Sequence, residues 1–205
     1  MKPESFVFAI AGMCFGLIAG WVIGSQQAAG TRRAAAPVAQ SAPAAATAAN
    51  PQPAVLDQER VKALTAVAEQ NPKDPQPRVQ LANLYFDAEQ YTNAISWYEA
   101  AYALNTRDPN VSTDLGVAYY YTNQPDRAIA QFQRSLAVDP KHTKTLLNLG
   151  IVKAFGKQDF DGAADAWQQV VSLAPDSPEG QAAKKGLEGI RNSRSNNKPG
   201  GNGGQ

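Results

Sequence analysis

Cys14 and His142 are the only residues of their types in the 205-residue chain, so they are the first candidates for nucleophile and general base. A reactive thiolate needs an electropositive, partly exposed setting. Cys14 stands instead inside FVFAIAGMCFGLIAGWVI, a run with no charge, where ionising it would be costly. His142 follows Pro140-Lys141 and reads as an exposed turn residue rather than a base. One Cys and one His in different segments make a poor start on a zinc site, which wants three or four ligands. There is no glycine-rich phosphate loop ending in Lys-Ser or Lys-Thr, and no Gly-x-Ser-x-Gly elbow. The carboxylates are scattered, and spacing pairs none of them. The expectation is a protein without catalytic residues, metal or cofactor. A net charge of +1, with both signs interspersed, does not point to nucleic acid. A single Cys cannot close an internal disulfide and says nothing about redox compartment.

The apolar run that holds Cys14 covers residues 6–23. As a helix it would span roughly 27 Å, close to the hydrocarbon thickness of a bilayer. It exceeds the roughly 7–15 apolar residues of a signal peptide. Gln26-Gln27-Ala28-Ala29 is a mediocre cleavage site, and Met13 before Cys14 argues against a lipoprotein cysteine. Residues 1–25 are therefore expected to form an uncleaved transmembrane anchor. Gly12, Gly16, Gly20 and Gly24 fall on one stripe of that helix. Small residues at this spacing let membrane helices pack closely, which makes them candidate helix-packing residues and a route to homo-oligomers. Glycine is also simply common in membrane segments. Residues 26–54, rich in Ala and Pro, show no apolar periodicity and read as a flexible linker. Residues 55–191 read as an all-helical repeat domain, and the Gly-rich end, 192–205, as a disordered tail. Lys2 and Glu4 before the run and Arg32 and Arg33 after it nearly balance as orientation signals. A short head, a long C-terminal part and a linker like those of bacterial envelope proteins place the anchor in the inner membrane and the repeats in the periplasm. At the other end, Lys184, Lys185, Arg191, Arg194 and Lys198 are opposed by Glu179 and Glu188 and read as a solvated basic face.

The elements between follow a period of 34 residues. Leu81, Leu115 and Leu149 keep that step, as do the small residues Ala82, Gly116 and Gly150. Tyr85 and Tyr119 keep it too, and Lys153 breaks it. Ala94, Ala128 and Ala163, then Tyr98, Phe132 and Trp167, repeat with a one-residue delay in the third unit. The delay predicts an inserted residue in a surface turn near Gly156–Asp159. Each unit decodes as two antiparallel helices. In the second, Asp108-Pro109 is a cap followed by Pro at the first helical position. Asn123-Gln124-Pro125 is the turn, and Asp139-Pro140 stops the second helix. The small residues are expected to let the paired helices approach, with the aromatics filling the space between hairpins. Val61, Leu64, Val67 and Ala68 give the segment 57–70 an apolar side that covers the start of the stack. Ser177-Pro178-Glu179 starts a final helix whose Ala183, Leu187 and Ile190 cover its end, as terminal caps of repeat arrays must. Gly180, Gly186 and Gly189 make that helix weak without packing.

Leu115-Gly116, Tyr119, Ala128, Phe132 and Pro140 resemble, in order, the pattern of the tetratricopeptide repeat family. Repeats fall at about 75–108, 109–142 and 143–177. The first has Thr106 where the family closes on Pro, and Arg78, Ser112 and Leu146 stand at its early Trp. The resemblance implies a right-handed superhelix whose first helices line a concave, peptide-binding face. Carried over position by position, the face holds Val79, Asn83, Phe86 and Asp87, then Thr113, Val117, Tyr120 and Tyr121. Lys144, Leu147, Asn148, Ile151 and Phe155 complete it. Members that grip a C-terminal carboxylate carry Lys, Asn, Asn, Lys and Arg where this chain has Val79, Asn83, Asp114, Lys144 and Asn148. Only Asn83 and Lys144 agree, and Asp114 would repel a carboxylate, so that specialisation is not expected. The functional expectation is a membrane-anchored scaffold or adaptor that recruits a protein or peptide partner, in assembly of a bacterial envelope complex. Two rivals stay open: a self-assembling structural protein, and an accessory subunit of a cytochrome-maturation or secretion machine.

Overall fold

A computed structural model describes residues 54–196. The expected anchor, its glycine stripe at Gly12, Gly16, Gly20 and Gly24, nearly all of the expected linker and most of the expected tail lie outside them. Among the described residues there are eight α-helices and no strand, and no helix is long and apolar enough to cross a membrane. In chain order they are α1 (Gln58–Gln70), α2 (Gln76–Asp87), α3 (Tyr91–Leu104), α4 (Pro109–Tyr121), α5 (Pro125–Val138), α6 (Thr143–Ile151), α7 (Phe160–Leu173) and α8 (Pro178–Asn196). The helices pair as hairpins α2–α3, α4–α5 and α6–α7, with α1 against α2 and α8 against α6 and α7.

Local chemistry sets the boundaries. Asp57, Asp108 and Asp159 accept backbone N–H bonds as the caps of α1, α4 and α7, and the Ser177 hydroxyl accepts from Gly180 N at 3.0 Å. Pro109 and Pro125 occupy the first turns of their helices, where a missing N–H costs nothing. Each hairpin turns through one residue of positive φ: Glu89 (56°), Asn123 (59°) and Gln158 (56°).

The inserted residue of the third unit is not in the surface turn, where its spacing placed it, but in the last turn of the first helix. α6 continues into a π-helical turn, Val152–Gly156. In the first two units the bond that closes the turn runs from Gln90 N to Tyr85 O (2.8 Å) and from Gln124 N to Tyr119 O (2.9 Å). In the third it runs one residue further, from Asp159 N to Lys153 O (2.8 Å), and Lys157 N donates to Val152 O (3.1 Å). Widening the ladder absorbs the residue while every amide named keeps a partner. Lys153, standing where the earlier units have Tyr, places its ammonium 3.3 Å from the capping carboxylate of Asp159.

The core is built where small residues meet rings. Ala82, Ala94, Ala128 and Ala163 are fully buried, and so is Phe132. A Cβ added at Gly116 would lie 2.5 Å from the Phe132 ring, so the ring seats on the glycine of its own hairpin. The expectation had the aromatics between hairpins, and Trp167 shows both arrangements. Its indole is gripped by Gly150 of its own hairpin and by Gly186 of α8, and its Nε1 donates to Leu147 O at 3.1 Å. The early Trp of the family is replaced three ways. Arg78 donates to Ala68 O (3.1 Å) and Asp74 O (2.8 Å), tying α1 to the first hairpin. The Ser112 hydroxyl donates to Gln131 O (3.0 Å), and Leu146 is buried.

Two end-helix details depart from expectation. Val67 in α1 is 41% exposed, because only Val61 and Ala68 reach the buried side, with Leu64 partly covered. α8 runs past 191 to Asn196: its last turn has no apolar anchor but carries an Arg194–Asp161 ion pair and Ser193 and Ser195 hydroxyls bonded back to Gly189 and Arg191 carbonyls.

Candidate peptide-binding face

The first helices α2, α4 and α6 meet along one face, and polar contacts cross it. Tyr98, rising from α3, donates its hydroxyl to Asn83 Oδ1 at 2.5 Å. Burial pushes the Tyr98 phenol well above its ordinary 10.0, and the carboxylates of Asp114 and Asp87 push it the same way, which places both acids around that hydroxyl. Lys144 reaches back across the face and donates to Asp114 Oδ1 at 2.7 Å. The two side chains are only 18% and 16% exposed, so Lys144 is committed to this pair and is no free anion-binding ammonium.

Beside this polar line lies an aromatic patch. Phe86 meets Tyr91 edge-on at 5.2 Å between centroids and Tyr121 at 5.6 Å, and Tyr91 stacks on Tyr121 at 4.5 Å and 14°. Tyr120 lies 6.3 Å from Tyr121, and a Cβ on Gly156 would come 3.1 Å from its ring, so Tyr120 packs toward the π-helical turn. Tyr91 is raised to about 12 by burial first, then by Glu89 and Tyr121. Burial raises Tyr121 and Tyr120 as well. These rings present apolar faces and un-ionised hydroxyls at physiological pH.

The candidates taken from the sequence divide into two groups. Val79, Asn83, Phe86, Val117, Tyr120, Tyr121 and Lys144 are half-buried, and Phe155 is 40% exposed on the π-helical turn. Leu147, Asn148 and Ile151 are buried, in the helix that α8 packs against, and Thr113 is fully buried. The face available to a ligand is therefore centred on the first two hairpins. Tyr119 is buried, as a core residue should be, but its hydroxyl reaches the surface: it donates to Glu99 and receives Arg127 Nη2 at 2.8 Å, with the guanidinium 4.0 Å over the ring.

Two features escaped the sequence. Tyr91 was not singled out, although Tyr91, Pro125 and Phe160 start their helices in register, a signal for an apolar residue at each hairpin turn. His142 is not an exposed turn residue. Its Nδ1 lies 2.6 Å from Thr145 Oγ1 and its Nε2 3.2 Å from Asn110 Oδ1. Thr145 Oγ1 in turn lies 2.6 Å from Thr113 Oγ1 and 2.8 Å from Ser135 Oγ, a buried hydroxyl cluster joining the second and third units. Asn110 and His142, and Thr113 and Thr145, are each separated by 32 positions, close to the repeat period. That near-match was the available signal.

No curated protein matches the chain in sequence. Solved structures do, at the level of fold. The Sgt2 domain from Aspergillus fumigatus is 22% identical over 64% of this chain and 88% of its own, with a TM-score of 0.56. The first such domain of Spaghetti (RPAP3), bound to the HSP90 peptide SRMEEVD, is 20% identical over 68% and 97%, at 0.53. The Yersinia enterocolitica type III secretion chaperone SycD, in complex with a peptide of the translocator YopD, is 19% identical over 58% and 93%, at 0.54. Two tetratricopeptide repeat family models match residues 76–141 and 113–178, together half of the 205-residue chain. With three hairpins in phase, small residues seated under rings, and family models that overlap across the second repeat, the chain belongs to the tetratricopeptide repeat family.

Proposed function

We propose that this protein is a membrane-anchored adaptor whose repeat domain holds a segment of a partner protein against the face formed by α2 and α4. The observation that carries the reading is the half-buried strip of Asn83, Phe86, Val117 and Tyr121, apolar and aromatic beside an amide, on the helices that line the ligand face in this family. Such a strip suits a peptide that supplies apolar side chains and backbone hydrogen bonds. Two structural neighbours, SycD and Spaghetti, hold peptides, which supports a binding role rather than an enzymatic one. Anchoring rests on the apolar run 6–23, and placement in the inner membrane with the repeats in the periplasm rests on the Ala/Pro-rich linker.

The test is photo-crosslinking in intact bacterial cells from a probe at Val117, with a control probe at Gln133, which is exposed on α5. A discrete partner captured only from Val117 is the expected result, and its compartment reports the topology. Identical products from both positions, or self-crosslinks alone, would favour a self-assembling structural protein.

A further inference from the structure

The charges on the ligand face do not balance. Asp114 is neutralised by Lys144 at 2.7 Å. Asp87, one turn beyond Asn83 and next to Phe86, is half-buried and has no ion-pair partner among the described residues. Burial alone holds its carboxyl above the ordinary 3.8. Glu89 stands close enough to the aromatic patch to raise both Tyr91 and Tyr121. The rings themselves offer electron-rich faces. An apolar surface edged by a desolvated carboxylate without a counter-charge complements an aliphatic stem that ends in a cation.

We propose that this face selects its peptide by a Lys or Arg side chain, seated with its stem across Phe86 and Tyr121 and its cation against Asp87. The inference rests on the peptide-binding reading above and narrows its partner class. A neutral or acidic segment would leave Asp87 buried beneath it without a partner, so the same carboxylate that attracts a basic side chain excludes the others. Arg or Lys next to an aliphatic residue therefore defines the preferred motif, opposite in sign to a C-terminal carboxylate.

The full chain in mild detergent is applied to an array of end-capped peptides of about twelve residues, built from Leu, Ala, Ser and Gln. Each peptide carries one Lys and has a twin with Gln in its place. The expected result is retention of Lys peptides over their twins. Asp87→Asn lowers affinity for the Lys peptides about tenfold, raises affinity for the twins because no unpaired carboxylate is left beneath them, and does not lower the melting temperature, and Asp87→Glu restores most of the preference. Val117→Tyr, which fills the face, abolishes retention of both. Equal retention of Lys peptides and twins by the unmodified chain, lost with Val117→Tyr, overturns the charge selection while leaving the binding face in place. Retention that survives Val117→Tyr, or none at all, overturns both readings.

Discussion

At the scale of the residue, the glycines of α8 show how one residue type serves opposite ends. A Cβ at Gly186 would sit 2.6 Å from the Trp167 ring, whereas a Cβ at Gly189 meets nothing within 4 Å. Glycine in a helix interior costs about 1 kcal/mol relative to alanine when nothing else is at stake. Gly189→Ala is therefore expected to raise stability by about 1 kcal/mol. Gly186→Ala should lower it by about 1–3 kcal/mol, because the indole is already held by Gly150 on its other side and has nowhere to retreat. Urea unfolding of the two variants checks the pair, and the same sign for both would contradict this account of the packing. Sequence alone marks all three glycines of α8 as weak points; only the packed neighbours distinguish them, the Trp167 ring at Gly186, the backbone of Ala174 and Pro175 at Gly180, and open space at Gly189.

At the scale of the element, the junction between the second and third units carries the one histidine. Burial holds the His142 imidazole below its ordinary 6.5; Lys144 acts in the same direction, and Asp139, Asp114 and Asp108 oppose. The unfolded chain thus takes up this proton at a higher pH than the folded one. Stability linked to His142 is full above the unfolded value, declines as the pH falls below about 6.5, and levels off only beneath the folded value. The urea midpoint is expected to drop between about pH 7.5 and about pH 5.5, and His142→Asn should remove that part of the drop. A midpoint with the same pH slope in both proteins would show that the junction does not sense the proton. The contacts of His142, the N-cap residue of α6, with Asn110 of α4 and of Thr145 with Thr113 bridge neighbouring hairpins, so a helix-by-helix reading of periodicity misses them. The π-helical turn was hidden for a related reason. A 35-residue unit announces an extra residue, but whether a loop or a helix absorbs it depends on which arrangement keeps the backbone hydrogen bonds satisfied.

At the scale of the whole molecule, the described helices form a linear array in which each hairpin leans on its neighbours, so stability is shared through interfaces. The terminal interface buries an aromatic ring. α8 covers Trp167 through Gly186, and its Ala183 and Ile190 are buried. Ending the chain after Asp176 should expose that ring, lower the melting temperature and shift tryptophan emission to the red. The loss is expected to match a large-to-small core change, about 3–5 kcal/mol. A truncated chain that melts like the intact one would mean that α8 is a passenger rather than a cap. The same helix packs against α6, where Leu147, Asn148 and Ile151 are buried, so the candidates that stay accessible lie mainly on the first two hairpins.

Periodicity is a local property, and it was enough for the fold class. Leu, Gly or Ala, Tyr, Ala and an aromatic recurring at fixed spacing dictate paired helices, because those spacings put apolar and small residues on the one side a neighbour can cover. Caps such as Asp108 and turns such as Asn123-Gln124 are equally local and were legible for the same reason. Packing alone settled how side chains far apart in the chain meet. It consumed Lys144 on Asp114, left Asp87 without an ion-pair partner among the described residues and gathered Phe86, Tyr91 and Tyr121 into one patch. Charge pairing and burial depend on distances between units, and sequence spacing carries those distances only as far as the repeat stays regular.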